Sequence, residues 1–174
     1  MHMVAVMQLA CFTNEFAWAH ACVREGWQRY ERSPLRRSAH LTMLARMTRA
    51  RLLLNEYVYG GCEGELPAEL RHQLKLLRGS PAKLAITANR LDARILRMRG
   101  DHAGAQAILR ELIASFTKEN APAEAAIDRC ALGTLVEGQN CAEVQRAEAD
   151  LRRMGMVNPR NFVRAYYPEL FPGG

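Results

Sequence analysis

Absences narrow the reading of this chain before any motif does. No apolar run approaches the ~20 residues that a transmembrane helix needs, which predicts a soluble chain with no membrane partner. Valine, isoleucine and threonine are scarce, and no stretch alternates apolar and polar residues, which argues against a sheet protein. The five cysteines are odd in number, widely spaced and never arranged as CxxC. They do not make a disulfide framework, and they read as reduced, mostly buried thiols of a cytoplasmic protein. His2, His20, His40, His72 and His102 include no HExxH and no paired spacing with cysteine. Cys11 and Cys22 lie three helical turns apart, too far to share a metal; Cys130 and Cys141 could approach each other but bring no further ligands. Gly60-Gly61-Cys62 lacks the GxxxxGK[ST] frame of a phosphate loop. No Ser/His/Asp or Cys/His set has supporting local sequence, and His20 near Cys22 and Glu25 reads as a partly exposed helix residue. No catalytic residue, metal or cofactor is therefore assigned, and the expectation is a protein that is not an enzyme.

What is present favours helix. The chain has 174 residues, 49% hydrophobic and 24% charged, with Ala, Leu and Arg dominant. That length suits a single domain over residues 1–174 with a core of useful size. Met1 to Cys11 is apolar but lacks a basic start and a clear cleavage site, so it is not read as a signal peptide. Met1-His2 has the look of a cloning scar.

Apolar spacing sets out the helices in order. Val4 to Glu31 is one long helix or two abutting ones. Met7, Cys11, Trp18 and Cys22 lie on one face, with Phe12, Phe16, Val23, Trp27 and Tyr30 on a neighbouring face. This broad apolar surface is either left open for a partner or, as aromatic residues at helical spacing favour, buried between two neighbours. Ser33-Pro34 restarts the chain into Leu35–Tyr59, with Leu41, Leu44, Ala45, Leu52 and Leu53 inward and Gly60-Gly61 as its stop. An acidic loop, Cys62 to Leu66, precedes a helix opened by Pro67, carrying Leu70, Leu74 and Leu77 inside and ended by Gly79. Ser80-Pro81 opens the next, whose face is Leu84, Ala88, Leu91, Ile95 and Met98. Gly100 stops it and Asp101 caps a partner helix with Ala105, Ile108, Leu109, Leu112 and Phe116 inward, which makes a hairpin. Ala121–Glu137, opened by Pro122, buries Ala123, Ile127 and Cys130. Asn140 then caps a helix carrying Val144, Ala147, Leu151 and Met154, ended by Gly155. Asn158-Pro159 opens a short last helix with Phe162, Val163 and Tyr166 inward, stopped by Pro168, and Pro172-Gly173-Gly174 trails off.

Two stretches resemble known families. Ala93, Leu96, Gly100, Asp101, Ala105 and Leu109 match the spacing of a tetratricopeptide-like repeat over about one unit, with Asn89 and Asp92 standing where that pattern prefers Trp and Leu. The resemblance implies antiparallel hairpins stacked as a short α-solenoid. Residues 147–164, through Ala147, Leu151, Gly155, Asn158, Pro159 and Phe162, are similar to the C-terminal helical ends of large bacterial serine/threonine-kinase and ATPase signalling proteins. That implies a helical module of such a protein; no kinase motif is present, so no catalysis is carried over. The expected fold is all-α: seven or eight helices in a tetratricopeptide-like solenoid with a short C-terminal capping helix. Residues 1–79 form its N-terminal helices, 80–157 its hairpins and 158–174 its cap and tail. The expected function is a protein-interaction or regulatory scaffold with a protein or peptide partner.

Charge supplies one further feature. Residues 24–51 hold eight arginines against Glu25 and Glu31, which equals the whole net charge of +6. Arg29, Arg32 and Arg36 fall at steps of three and four across Pro34, and Arg46 and Arg49 share a helical face. Guanidinium forks suit phosphate and carboxylate, so these five are the candidate residues for an anionic partner. A phosphorylated protein, an acidic helix and a nucleic acid all fit. Of the 24 basic residues 21 are Arg, so a solvated face in an arginine-rich chain is the plainer reading, ahead of a nucleic-acid site.

Overall fold

The computed structural model describes residues 2–61, 64–79 and 82–170. Among them the chain is all helical, with no strand. In order come α1 (His2–Thr13), α2 (Phe16–Arg32), a 3-10 turn (Pro34–Arg37), α3 (Ala39–Tyr59), α4 (Ala68–Arg78) and α5 (Ala82–Met98). They are followed by α6 (His102–Lys118), α7 (Pro122–Glu137), α8 (Ala142–Arg153), α9 (Pro159–Tyr166) and a closing 3-10 turn (Pro168–Leu170). The described residues thus hold nine α-helices, where apolar spacing predicts seven or eight. None is long and apolar enough to cross a membrane. Expectations at Cys62, Glu63, Ser80, Pro81, the side chain of Leu84 and the Pro172–Gly174 tail lie outside the described residues. Contacts gather into two compact units, Met1–Ala88 and Asn89–Gly174, with the boundary inside α5.

In the first unit α1 packs on α2 and α3, and α3 packs on α4. The core gathers Met7, Ala10, Phe16, Ala19, Val23 and Leu52. A single residue separates the two readings of Val4–Glu31. Asn14 adopts φ 63°, a left-handed conformation that asparagine tolerates, and its N–H returns to Ala10 O at 2.8 Å. The helix stops there, and α2 starts in a new phase. Met7 and Cys11 stay buried, but Trp18 and Phe12, expected inside, are exposed. In α3, Ala45, Leu52 and Leu53 are buried, while Leu41 and Leu44 are half-buried. Leu70, Leu74 and Leu77 of α4 are buried as their spacing predicts.

In the second unit α7 packs against α6 and α8, and α9 packs on α8 and α7. Small residues make α7 approachable: Ala125, Ala126, Ala131 and Gly133 are all buried. A Cβ on Gly133 would lie 3.1 Å from both Cys141 Sγ and Val144 Cγ2, so a side chain there would press on the start of α8. The α5–α6 turn closes as the sequence indicates. Gly100 takes φ 83°, Asp101 N–H reaches Leu96 O at 2.9 Å, and the Asp101 carboxylate accepts from Gly104 N–H at 2.8 Å. Gly155, at φ 92°, ends α8 the same way, and Asn158 Oδ1 accepts from Asn161 N–H at 3.2 Å to open α9.

Three local expectations shift in this unit. Met98 and Met154 occupy last turns beside left-handed glycines and are exposed, because the chain there is already leaving its neighbours. The cap of α8 moves one residue: Cys141 Sγ accepts from Val144 N–H at 3.5 Å, while the Asn140 side chain accepts from Arg160 at 3.3 Å.

The Gly100 turn is directly testable. A Cβ there would meet nothing within 4 Å, so Gly100→Ala carries only the backbone cost of a positive φ. We expect a loss of about 1–2 kcal/mol in urea unfolding, and an unchanged or higher stability would show that the turn does not form as described.

Candidate functional site

Two sets of arginines stand out, and they are built differently. The first lies in the first unit. Arg29 is exposed and pairs with Glu25, one turn earlier on α2. Arg49 is half-buried: it pairs with Glu69 of α4, and its guanidinium lies 4.3 Å from the centre of the Trp27 ring. Arg49 is therefore held within the fold, while the Arg29–Glu25 pair lies at the solvent surface. Arg32 and Arg36 are exposed, Arg46 is half-buried, and none of the three has an anionic partner among the described residues. α2 ends at Arg32 and Ser33 is extended, so Arg36 does not continue the helical step from Arg32. The same exposure and lack of a partner hold for Arg24 and Arg37, which the candidate set omitted. Their signal was present in the sequence as the charge excess of residues 24–51.

The second set is buried in the second unit, and sequence reasoning missed it. Arg90 of α5 is 3% exposed. Its Nε and Nη2 donate to the two Asp128 carboxylate oxygens of α7, each at 2.8 Å, and its Nη1 donates to Glu124 at 2.8 Å. The Tyr167 hydroxyl donates to Asp128 Oδ1 at 2.6 Å. Phe116 and Tyr166 bring their rings to 5.2 and 5.0 Å from the Arg90 guanidinium carbon. One turn along α5, Arg94 grips Glu169 through Nε and Nη2 at 2.9–3.1 Å. Its Nη1 is buried without a partner.

Burial works against charge throughout this centre. For Arg90 burial lowers the value, but the Asp128 carboxylate, its hydrogen bond and the neighbouring Tyr167 and Glu124 together outweigh it, and the guanidinium is held well above its ordinary value. For Asp128 burial outweighs the opposing guanidinium, and the carboxyl is raised. The Tyr167 phenol is pushed well above its usual value by burial and by the adjoining Asp128 carboxylate. Tyr167 is therefore a neutral donor. The cavity beside Arg94, Tyr167 and Glu169 has a volume of ≈ 10 Å³, about that of one water. The centre joins α5, α7 and the C-terminal turn. A signal existed in α7, where Asp128 lies between the apolar Ala125-Ala126-Ile127 and, past Arg129, Cys130-Ala131, so a buried Asp128 requires a partner.

His20 Nε2 lies 2.7 Å from Glu56 of α3, and Glu25 pairs with Arg29. Cys130 is a free thiol pushed up to about 12, by burial first and by the Glu148 charge second, and so is a poor nucleophile. Among the described residues no three His, Cys, Asp or Glu side chains gather to hold a metal.

No protein-family model, curated protein or solved structure matches the chain. The described residues are all helical and hold a buried charge centre and an exposed group of arginines.

Arg90→Met should strand Asp128 in the core and lower stability by about 3–5 kcal/mol in chemical unfolding; a loss under about 1 kcal/mol would contradict the buried pairing. The Tyr167 phenol gives a pH signature. Its folded value lies above its unfolded one, near 10, so the unfolded chain loses that proton first as pH rises. Its contribution is complete below pH of about 10 and is lost above it. Tyr167→Phe should flatten the alkaline fall in unfolding midpoint relative to wild type. Parallel curves for the two proteins would contradict this placement.

Proposed function

We propose that this chain is a non-catalytic protein-interaction module that receives an acidic segment of a partner protein on the arginines of residues 24–37. One observation carries the reading. Arg24, Arg32, Arg36 and Arg37 are exposed and lack anionic partners among the described residues, whereas Arg90 and Arg94 are neutralised inside the fold. Guanidinium groups left without counter-charge are the natural docking points for carboxylate or phosphate. The helix order supports a tetratricopeptide-like stack as the scaffold. Its resemblance around Gly100 and that of residues 147–164 support a place in a cytoplasmic bacterial signalling protein.

Binding by charge is salt-dependent, and that separates the outcomes. Fluorescence anisotropy with labelled poly-L-glutamate, single-stranded RNA and duplex DNA, each over a salt series, tests the reading. We expect poly-L-glutamate to bind at low salt and to be released as salt rises. The variant Arg24→Glu/Arg32→Glu/Arg36→Glu/Arg37→Glu should lose at least about tenfold in affinity while keeping its helical circular dichroism. Nucleic acid held about tenfold tighter than poly-L-glutamate would transfer the site to a nucleic-acid function, and unchanged binding by the variant would remove the site altogether.

A further inference from the structure

The turn between α2 and α3 buries none of its four residues, yet it is tightly held. Ser33 Oγ accepts from Leu35 N–H at 3.2 Å and donates to Tyr30 O at 3.0 Å. Arg36 N–H reaches Ser33 O at 3.3 Å, and Ser38 N–H reaches Leu35 O at 3.0 Å. Thr42 Oγ1 donates to Arg36 O at 2.9 Å and shares a 2.6 Å hydrogen bond with the Tyr30 hydroxyl. Pro34 locks its own φ. A surface segment that buries nothing is ordinarily among the first to open. Here local hydrogen bonds replace burial and fix the backbone in one shape. What that shape presents is Leu35, half exposed, in a stretch with Arg32, Arg36 and Arg37, none of which has an anionic partner among the described residues.

We propose that this turn is a preformed docking knob for an acidic protein segment that carries one apolar side chain, with Leu35 as the apolar anchor and Arg32, Arg36 and Arg37 as its charged surround. This rests on the acidic-partner reading above and adds the chemistry of the partner. Charge complementarity makes the occupant acidic. The leucine makes it a protein segment with an apolar side chain, because a polyanion alone would leave Leu35 in water. The fixed backbone lowers the ordering cost of binding, which is the use of a turn that is rigid without being buried.

The test is selection from a random peptide library displayed on phage, with the full chain immobilised. The expected consensus is an apolar residue flanked by Asp and Glu. Synthesised with a fluorophore, that peptide should bind Leu35→Ser at least about tenfold more weakly than wild type. It should not bind Arg36→Glu/Arg37→Glu. All three side chains are exposed, so both variants should unfold with wild-type midpoints. An acidic consensus that binds Leu35→Ser as tightly as wild type overturns the anchor and leaves the acidic-partner reading standing. A consensus without acidic residues, or binding untouched by Arg36→Glu/Arg37→Glu, overturns both.

Discussion

Arg90 lies where water cannot reach it, so its charge has to be met from inside the fold. An isolated guanidinium in that position would cost far more than a small unit's stability. The second unit is arranged around the answer. Asp128 meets two nitrogens of the fork, Glu124 meets the third, and the Tyr167 hydroxyl takes a share of Asp128. These partners come from α5, α7 and the residue that closes α9, which are distant in sequence. The network therefore ties down the C-terminal segment, and Arg94 with Glu169 adds a second tie one turn away. Directional bonds of this kind fix one geometry among many that apolar packing alone would allow.

The contrast with the first unit gives the arginines their meaning. The same side chain serves as an internal tie and as an open surface group, and the surroundings decide which. Arg49 finds Glu69 and the Trp27 face, and Arg29 finds Glu25. Arg32, Arg36 and Arg37 have no carboxylate partner among the described residues. Glu25 and Glu31 are the only acidic residues in 24–51, and the paired Arg29 already engages one of them. A surplus of fixed positive charge on a held backbone is suited to an acidic visitor.

Local signals along the chain were legible where one residue carries a distinct backbone preference. Gly100 with Asp101, Gly155, and Asn158 with Pro159 each mark a helix end that the structure shows in place. Apolar spacing located Leu70, Leu74 and Leu77, and likewise Val144, Ala147 and Leu151. It failed where phase was broken by a residue with no strong signal. Asn14 splits α1 from α2, and a face drawn continuously across it placed Trp18 inside. The cap at Cys141 was hidden because a thiol is an unusual acceptor, and Asn140 beside it is a common one. Of the candidate arginines, spacing could not tell Arg32 from Arg29, because what separates them is a partner. The Arg90 centre was illegible for a related reason: Arg90, Asp128 and Tyr167 are brought together by packing over nearly forty residues of separation.

The arginines divide into sealed and open, and one measurement reads that division directly. Brief labelling of the native protein with phenylglyoxal, followed by peptide mass spectrometry, reports the reactivity of each guanidinium. We expect rapid modification at Arg32, Arg36 and Arg37, and protection of Arg90 and Arg94 until the protein is unfolded. Poly-L-glutamate added beforehand should slow only the first group. Arg90 or Arg94 reacting as fast as Arg36, or Arg32, Arg36 and Arg37 protected in the free protein, would contradict it.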